Sequence, residues 1–195
     1  HSYDAPPLAN QGLNAARRYA DIAPAAPHAL HMPSHIFTRI GSWEESAATN
    51  VRSRDVAKVG GEVDEAYHAS DYMVYAYLQL ARDAAARQAI YEALQVDAVT
   101  SRFAARYAKA AMPARYAFER GAWPEAAKLQ PLGSPYPFVE AITYFTRSVG
   151  AARSGDLALA RKDAEQLEAL HNALLAAKNT YWATEVEVQR LAAAG

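Results

Sequence analysis

The strongest constraint on what this chain can fold into is an internal repeat. Met32-Pro33-Ser34-His35-Ile36-Phe37-Thr38-Arg39-Ile40-Gly41-Ser42-Trp43-Glu44-Glu45 recurs 80 residues later as Met112-Pro113-Ala114-Arg115-Tyr116-Ala117-Phe118-Glu119-Arg120-Gly121-Ala122-Trp123-Pro124-Glu125, sharing Met, Pro, Gly, Trp and the second Glu. Self-similarity at a fixed period means stacked supersecondary units that cannot bury their apolar faces alone. A related unit, Tyr72 onward to Ala86, lies between the copies, a fourth turn follows at Ser154-Gly155-Asp156, and Pro7 marks an earlier, divergent one. With Pro7, Gly41, Ala81, Gly121 and Gly155 as turn residues the spacings are 34, 40, 40 and 34.

Each unit reads as a first helix, a tight turn, and a second helix starting near Trp43, Asp83, Trp123 or Leu157. Glycine suits the turn because it accepts positive φ, and the small residues Ser46, Ala86, Ala126 and Ala160 allow close approach of two antiparallel helices. Pro24, Pro27, Gly60-Gly61 and Ser134-Pro135-Tyr136-Pro137 fall where one unit should pass to the next, and Asn179-Thr180 caps a last helix around Tyr181 to Leu191. The expected units are approximately 1–24, 25–60, 61–103, 104–135 and 136–177 with a final helix 178–195, together one array over 1–195 with at least eight helices and no sheet.

A Gly, an aromatic residue two positions on, a Glu and a small residue, repeated at 34 or slightly more, resemble the tetratricopeptide repeat over nearly the whole chain. The departures are the two intervals of 40, Pro33 and Pro113 inside first helices, and Ala81 in place of glycine. The strings His31-Met32-Pro33-Ser34-His35-Ile36-Phe37 and Tyr67-His68-Ala69-Ser70-Asp71-Tyr72 look like those of a little-characterised group of bacterial tetratricopeptide-repeat proteins. The resemblance implies an all-α solenoid of antiparallel helix pairs whose first helices line a concave, ligand-holding face. It implies no reaction.

Charge argues against nucleic acid as a partner: 20 Lys+Arg against 21 Asp+Glu leave a net −1, far from the basic footprint that phosphate neutralisation demands. The absence of cysteine excludes disulfides and thiolate chemistry but leaves the compartment open. No stretch reaches the ~18 consecutive apolar residues of a membrane span. The opening His1-Ser2-Tyr3-Asp4, ahead of Pro6-Pro7, reads as a helix cut in its middle, and the expectation is a fragment of a longer protein able to stack on further repeats.

The chemistry lies on one stripe of the first helices. Offsets 13, 10, 6 and 3 before each turn residue share a helix face, because steps of three and four stay on one side. They hold His28, His31, His35 and Thr38 before Gly41, then His68, Asp71, Tyr75 and Leu78 before Ala81, while His1 and Asp4 survive before Pro7. Five of the six histidines thus fall on one stripe. The next unit offers Ala108, Ala111, Arg115 and Phe118.

Two functions follow from this pattern. The first is a binding module that holds a peptide, a protein partner or a small ligand in a groove lined by His28, His31, His35, His68, Asp71, Tyr75 and Arg115. The second is a metal-binding protein or metal-dependent hydrolytic enzyme, with His31, His35, His68 and Asp71 as ligands to a divalent ion of the zinc, manganese or iron class. Without a metal, His35 beside Asp71 could serve as an oriented base. The plainer alternative is that these groups satisfy one another and the Ala29 carbonyl, which loses its helical donor at Pro33. Trp43 and Trp123 read as structural, His171 as solvated, and the clusters around Arg54 and Asp163 as wet outer faces.

Overall fold

The computed structural model of the chain describes residues 2–96 and 103–195, and every described element is helical. His1 and residues 97–102, near the end of the expected third unit, lie outside the described residues. The helices are α1 (Ala9–Tyr19), α2 (Pro27–His31), α3 (Pro33–Arg39), α4 (Trp43–Gly60), α5 (Val63–Gln79), α6 (Asp83–Leu94), α7 (Phe103–Glu119), α8 (Trp123–Ala126), α9 (Pro137–Arg153), α10 (Leu157–Ala176) and α11 (Thr180–Ala194). The chain divides into two compact units, His1–Met112 and Pro113–Gly195. None of the described helices is long and apolar enough to cross a membrane.

The turns have one local design. Gly41, Ala81, Gly121 and Gly155 all have positive φ, at 75°, 55°, 61° and 87°. In each case the next residue's N–H reaches back to a carbonyl five positions earlier: Ser42 to Phe37, Arg82 to Tyr77, Ala122 to Ala117 and Asp156 to Ala151, at 2.8 or 2.9 Å. The turn residue's own N–H bonds the following carbonyl, as Gly41 does to Thr38. This Schellman arrangement satisfies the last carbonyls of the first helix and starts the second two residues on. The same bonds recur at Gly61 (Glu62 to Ala57) and at Lys178 (Asn179 to Leu174). Ala81 pays the steric cost of a left-handed backbone that glycine would avoid. Ala81→Gly should therefore raise stability, by up to about 1 kcal/mol after the glycine's extra unfolded-state entropy; a loss in urea unfolding would mean that this turn is not left-handed.

In the first unit, residues 2–8 run as turns rather than as the end of a helix, and α1 starts two residues after Pro7. Ala16 of α1 packs with Ile36 and Phe37 of α3, with Leu13 against them. Pro33 divides α2 from α3, yet Met32 between them keeps helical torsions (φ −52°, ψ −37°). Pro113 instead sits inside a continuous α7. Along α4 a buried polar stripe faces the α2–α3 pair: Ser46, Asn50 and Ser53 have no exposed surface. Ser53 Oγ donates to the Pro27 carbonyl at 2.8 Å, and the Ser46 and Thr38 hydroxyls meet at 3.0 Å. These bonds fix the rotation of α2–α3 against α4.

In the second unit α9 and α10 form the main packed pair, and α8 is only one turn long. A full second helix was expected from Trp123. Pro131, with Gly133 and Pro135 close behind, stops it, because proline lacks the donor and clashes with the preceding turn. Gly150 of α9 lies so close that a Cβ there would meet the Ala126 Cβ at 2.6 Å and the Ala127 nitrogen at 2.7 Å. The charge cluster on α10 is not uniformly wet. Asp163 is 1% exposed and pairs with Arg147 of α9 at 3.0 Å. Burial pushes its carboxyl above the usual range despite the guanidinium. His171 is likewise half-buried, 3.6 Å from Glu187.

Candidate metal centre

Three of the expected stripe residues meet in the first unit. One ring nitrogen from each of His31, His35 and His68 lies within 4.8 Å of the other two. His31 and His35 are a helical turn apart across the Met32-Pro33 junction, and His68 comes from α5. The ring centroids of His31 and His68 are 4.3 Å apart, and those of His31 and His35 are 4.9 Å apart, edge to face.

The hydrogen bonds around them assign the tautomers. Asn50 Nδ2 donates to the Ser46 carbonyl at 2.8 Å, so the Oδ1 turned toward His31 can only accept. It lies 2.7 Å from His31 Nδ1, which therefore carries a hydrogen. His35 Nδ1 lies 2.8 Å from Asp4 Oδ2 and donates to that carboxylate. The other Asp4 oxygen accepts from Arg39 Nε at 2.9 Å. With both Nδ1 atoms committed, the remaining nitrogens, Nε2 of His31 and Nε2 of His35, face each other at 3.0 Å. Two bare lone pairs repel at that distance, so the contact needs a shared proton or a cation.

Burial first, and then the neighbouring His68, hold His31 down to about 3. Burial also lowers His68, against the pull of Glu65. Both imidazoles are neutral near pH 7 and present lone pairs. Asp4 is pushed up by burial, but hydrogen bonds from Arg39 and His35 outweigh this and hold its carboxyl below the usual range. Tyr72 of α5 packs its ring against His31 (4.8 Å, perpendicular), His35 and His68, with its hydroxyl 3.4 Å from His35 Nδ1.

The other expected residues take different places. His28 is on the rim, its ring 6.2 Å from that of His31 and its Nδ1 3.4 Å from Glu65 Oε2, with 58% of its side chain exposed. Asp71 is buried on α5 but is not one of the three clustered groups. Asp4, set further out by the sequence spacing, is brought to His35 at 2.8 Å. Tyr75 is half-buried and stands edge-on to Trp43 at 5.5 Å. Arg115 is half-buried and belongs to the second unit. Asn50 was missed altogether. Its signal was an amide between Ser46 and Ser53 on the inward face of a second helix, a polar stripe where apolar residues are the rule. Comparison with family models, curated proteins and solved structures yields no match for this chain.

Proposed function

We propose that this protein binds a divalent metal ion through His31, His35 and His68, on a scaffold of helix pairs of the tetratricopeptide kind. The observation that carries the reading is the 3.0 Å approach of two Nε2 atoms whose Nδ1 partners are fixed by Asp4 and Asn50. Metal-ligating histidines are oriented in this way by a carboxylate or carbonyl on the far nitrogen. At about 2.0–2.1 Å per bond, ligand nitrogens of a tetrahedral zinc stand roughly 3.3 Å apart. His31 and His35, at 3.0 Å, are near that spacing, and a nitrogen of His68 within 4.8 Å of both would be the third ligand. Three imidazole nitrogens favour zinc, copper, nickel or iron, whereas magnesium and calcium take oxygen ligands. The scaffold part of the reading rests on the repeated left-handed turns and on the placement of the histidines on one helical stripe before two of them.

Three protein ligands leave a coordination position open. Water there would be acidified to a pKa of about 7, and a carbonyl or phosphoryl oxygen would be polarised, so hydrolysis is the chemistry that such a centre could support. A groove holding a peptide or protein partner is the other reading, in which the imidazoles only pack and hydrogen-bond. Elemental analysis and cobalt(II) titration decide between them. One metal per chain and visible absorption bands of four-coordinate cobalt, lost in His31→Ala, are expected. No binding tighter than about 10 μM would return the protein to the partner-groove reading.

A further inference from the structure

A second cavity lies beside the histidine centre and shares α2–α3 with it. Its volume is about 420 Å³, within the range of small-molecule pockets. Its lining includes Tyr3, with Gly12 and Tyr19 of α1, and Met32, Pro33 and Ile36 of the α2–α3 segment. His28, Met32 and Ile36 recur every four residues along α2–α3, and Met32 and Ile36 each stand one position on from His31 and His35. The pocket and the centre are therefore neighbouring faces of one element, but none of the three clustered histidines lines the pocket.

The lining specifies a ligand class. Two tyrosine rings with a methionine sulfur and a proline ring suit a flat aromatic body through offset stacking and sulfur contacts. The polar member that also belongs to the histidine stripe is His28. Its Nδ1 is directed at Glu65, 3.4 Å away, so in the neutral ring the hydrogen sits there and Nε2 is left as an acceptor. An acceptor at the edge of an aromatic slot is matched by a hydroxyl on the ligand.

We infer that this pocket binds a hydroxylated aromatic molecule, a phenol or naphthol, with its ring against the lining side chains of Tyr3 and Tyr19 and its O–H donating to His28. The site is independent of metal at the neighbouring centre.

The probe is 2-naphthol, with 2-methoxynaphthalene as a partner that cannot donate. Fluorescence titration of the full chain, stripped of metal with a chelator, should show one saturable site for 2-naphthol with a dissociation constant between roughly 10 μM and 1 mM, the range expected for a ligand of this size. Ala15 is an exposed pocket residue on α1, so Ala15→Trp fills the slot without disturbing the core and should weaken binding at least about tenfold. Tyr19→Ala, also at an exposed position, should weaken both probes. His28→Ala should weaken 2-naphthol but leave 2-methoxynaphthalene unchanged. The inference is overturned if binding is unsaturable, if Ala15→Trp binds like the parent, if the two probes respond alike to His28→Ala, or if binding requires the metal. Cobalt binding at His31, His35 and His68 is read separately in the same variants, so failure of the pocket and failure of the metal centre are distinguishable.

Discussion

Zinc at a thousandfold excess over its dissociation constant should raise the melting temperature by roughly 8–16 °C. A ligand that binds only the folded state stabilises it by about 4.1 kcal/mol at that ratio, and a chain of this size gains about 2–4 °C per kcal/mol. His31→Ala should abolish the increment. His31 has no exposed surface, so the substitution also leaves a cavity and strips Asn50 Oδ1 of its donor. The metal-free variant is therefore less stable by about 2–4 kcal/mol through cavity and unpaired-group costs. His68→Ala is the cleaner companion, because His68 is only half-buried where His31 has no exposed surface. It should lose most of the zinc increment at a smaller cost to the metal-free protein. The measurement is a pair of thermal melts, with zinc and with chelator, for each variant. An increment that survives loss of both His31 and His35 would remove the metal centre.

Acid should destabilise the metal-free protein well before its carboxylates titrate. His31 falls from an ordinary 6.5 to about 3 in the folded chain, and burial lowers His68 in the same direction. Below pH 6.5 the unfolded chain binds protons that the folded one refuses. The stability is therefore fully present above pH 6.5 and drains as pH falls toward 3. The slope is up to about 1.4 kcal/mol per pH unit for His31 alone, so about 2 kcal/mol is lost by pH 5. Asp4 acts in a lower window: its carboxyl is depressed below 3.8, and its contribution is lost only as pH falls through that depressed value. Urea unfolding at pH 7.5, 6.5, 5.5 and 4.5 checks the prediction. His31→Leu should flatten the upper part of the profile, and an unchanged slope in that variant would mean that His31 is not buried as described. Zinc should protect near neutrality and fail as protons compete for the same lone pairs.

The turn positions were legible in the chain because a Schellman turn is a local device. A residue able to take positive φ, the carbonyls just before it and the helix start two residues later are all set within about six positions. That is why Gly41, Gly121 and Gly155 could be placed by repeat alone, and why even Ala81 could be placed by register against its neighbours. The convergence of His31, His35 and His68 came from the same source: their offsets of 10, 6 and 13 before Gly41 and Ala81 all fall on one stripe, which turns side chains of neighbouring helices toward one another.

What lay beyond the sequence depended on contacts across helices. Asn50 reaches His31 because α4 turns a polar stripe inward, and spacing within α4 does not reveal which of its faces meets α2–α3. Asp4 meets His35 because residues 2–8 fold as turns that bring that carboxylate to α3, where a helical reading placed it further out. Asp163 was assigned to a wet face from the charges beside it, yet Arg147 on α9 draws it into the interior. The single turn of α8 reflects both the nearby prolines and the close passage of Gly150, only the first of which the chain spells out. Local chemistry therefore determined the helices, their turns and the histidine stripe. The tertiary packing decided which nitrogen of each histidine holds a proton and which is left to bind, because those assignments belong to partners many residues away.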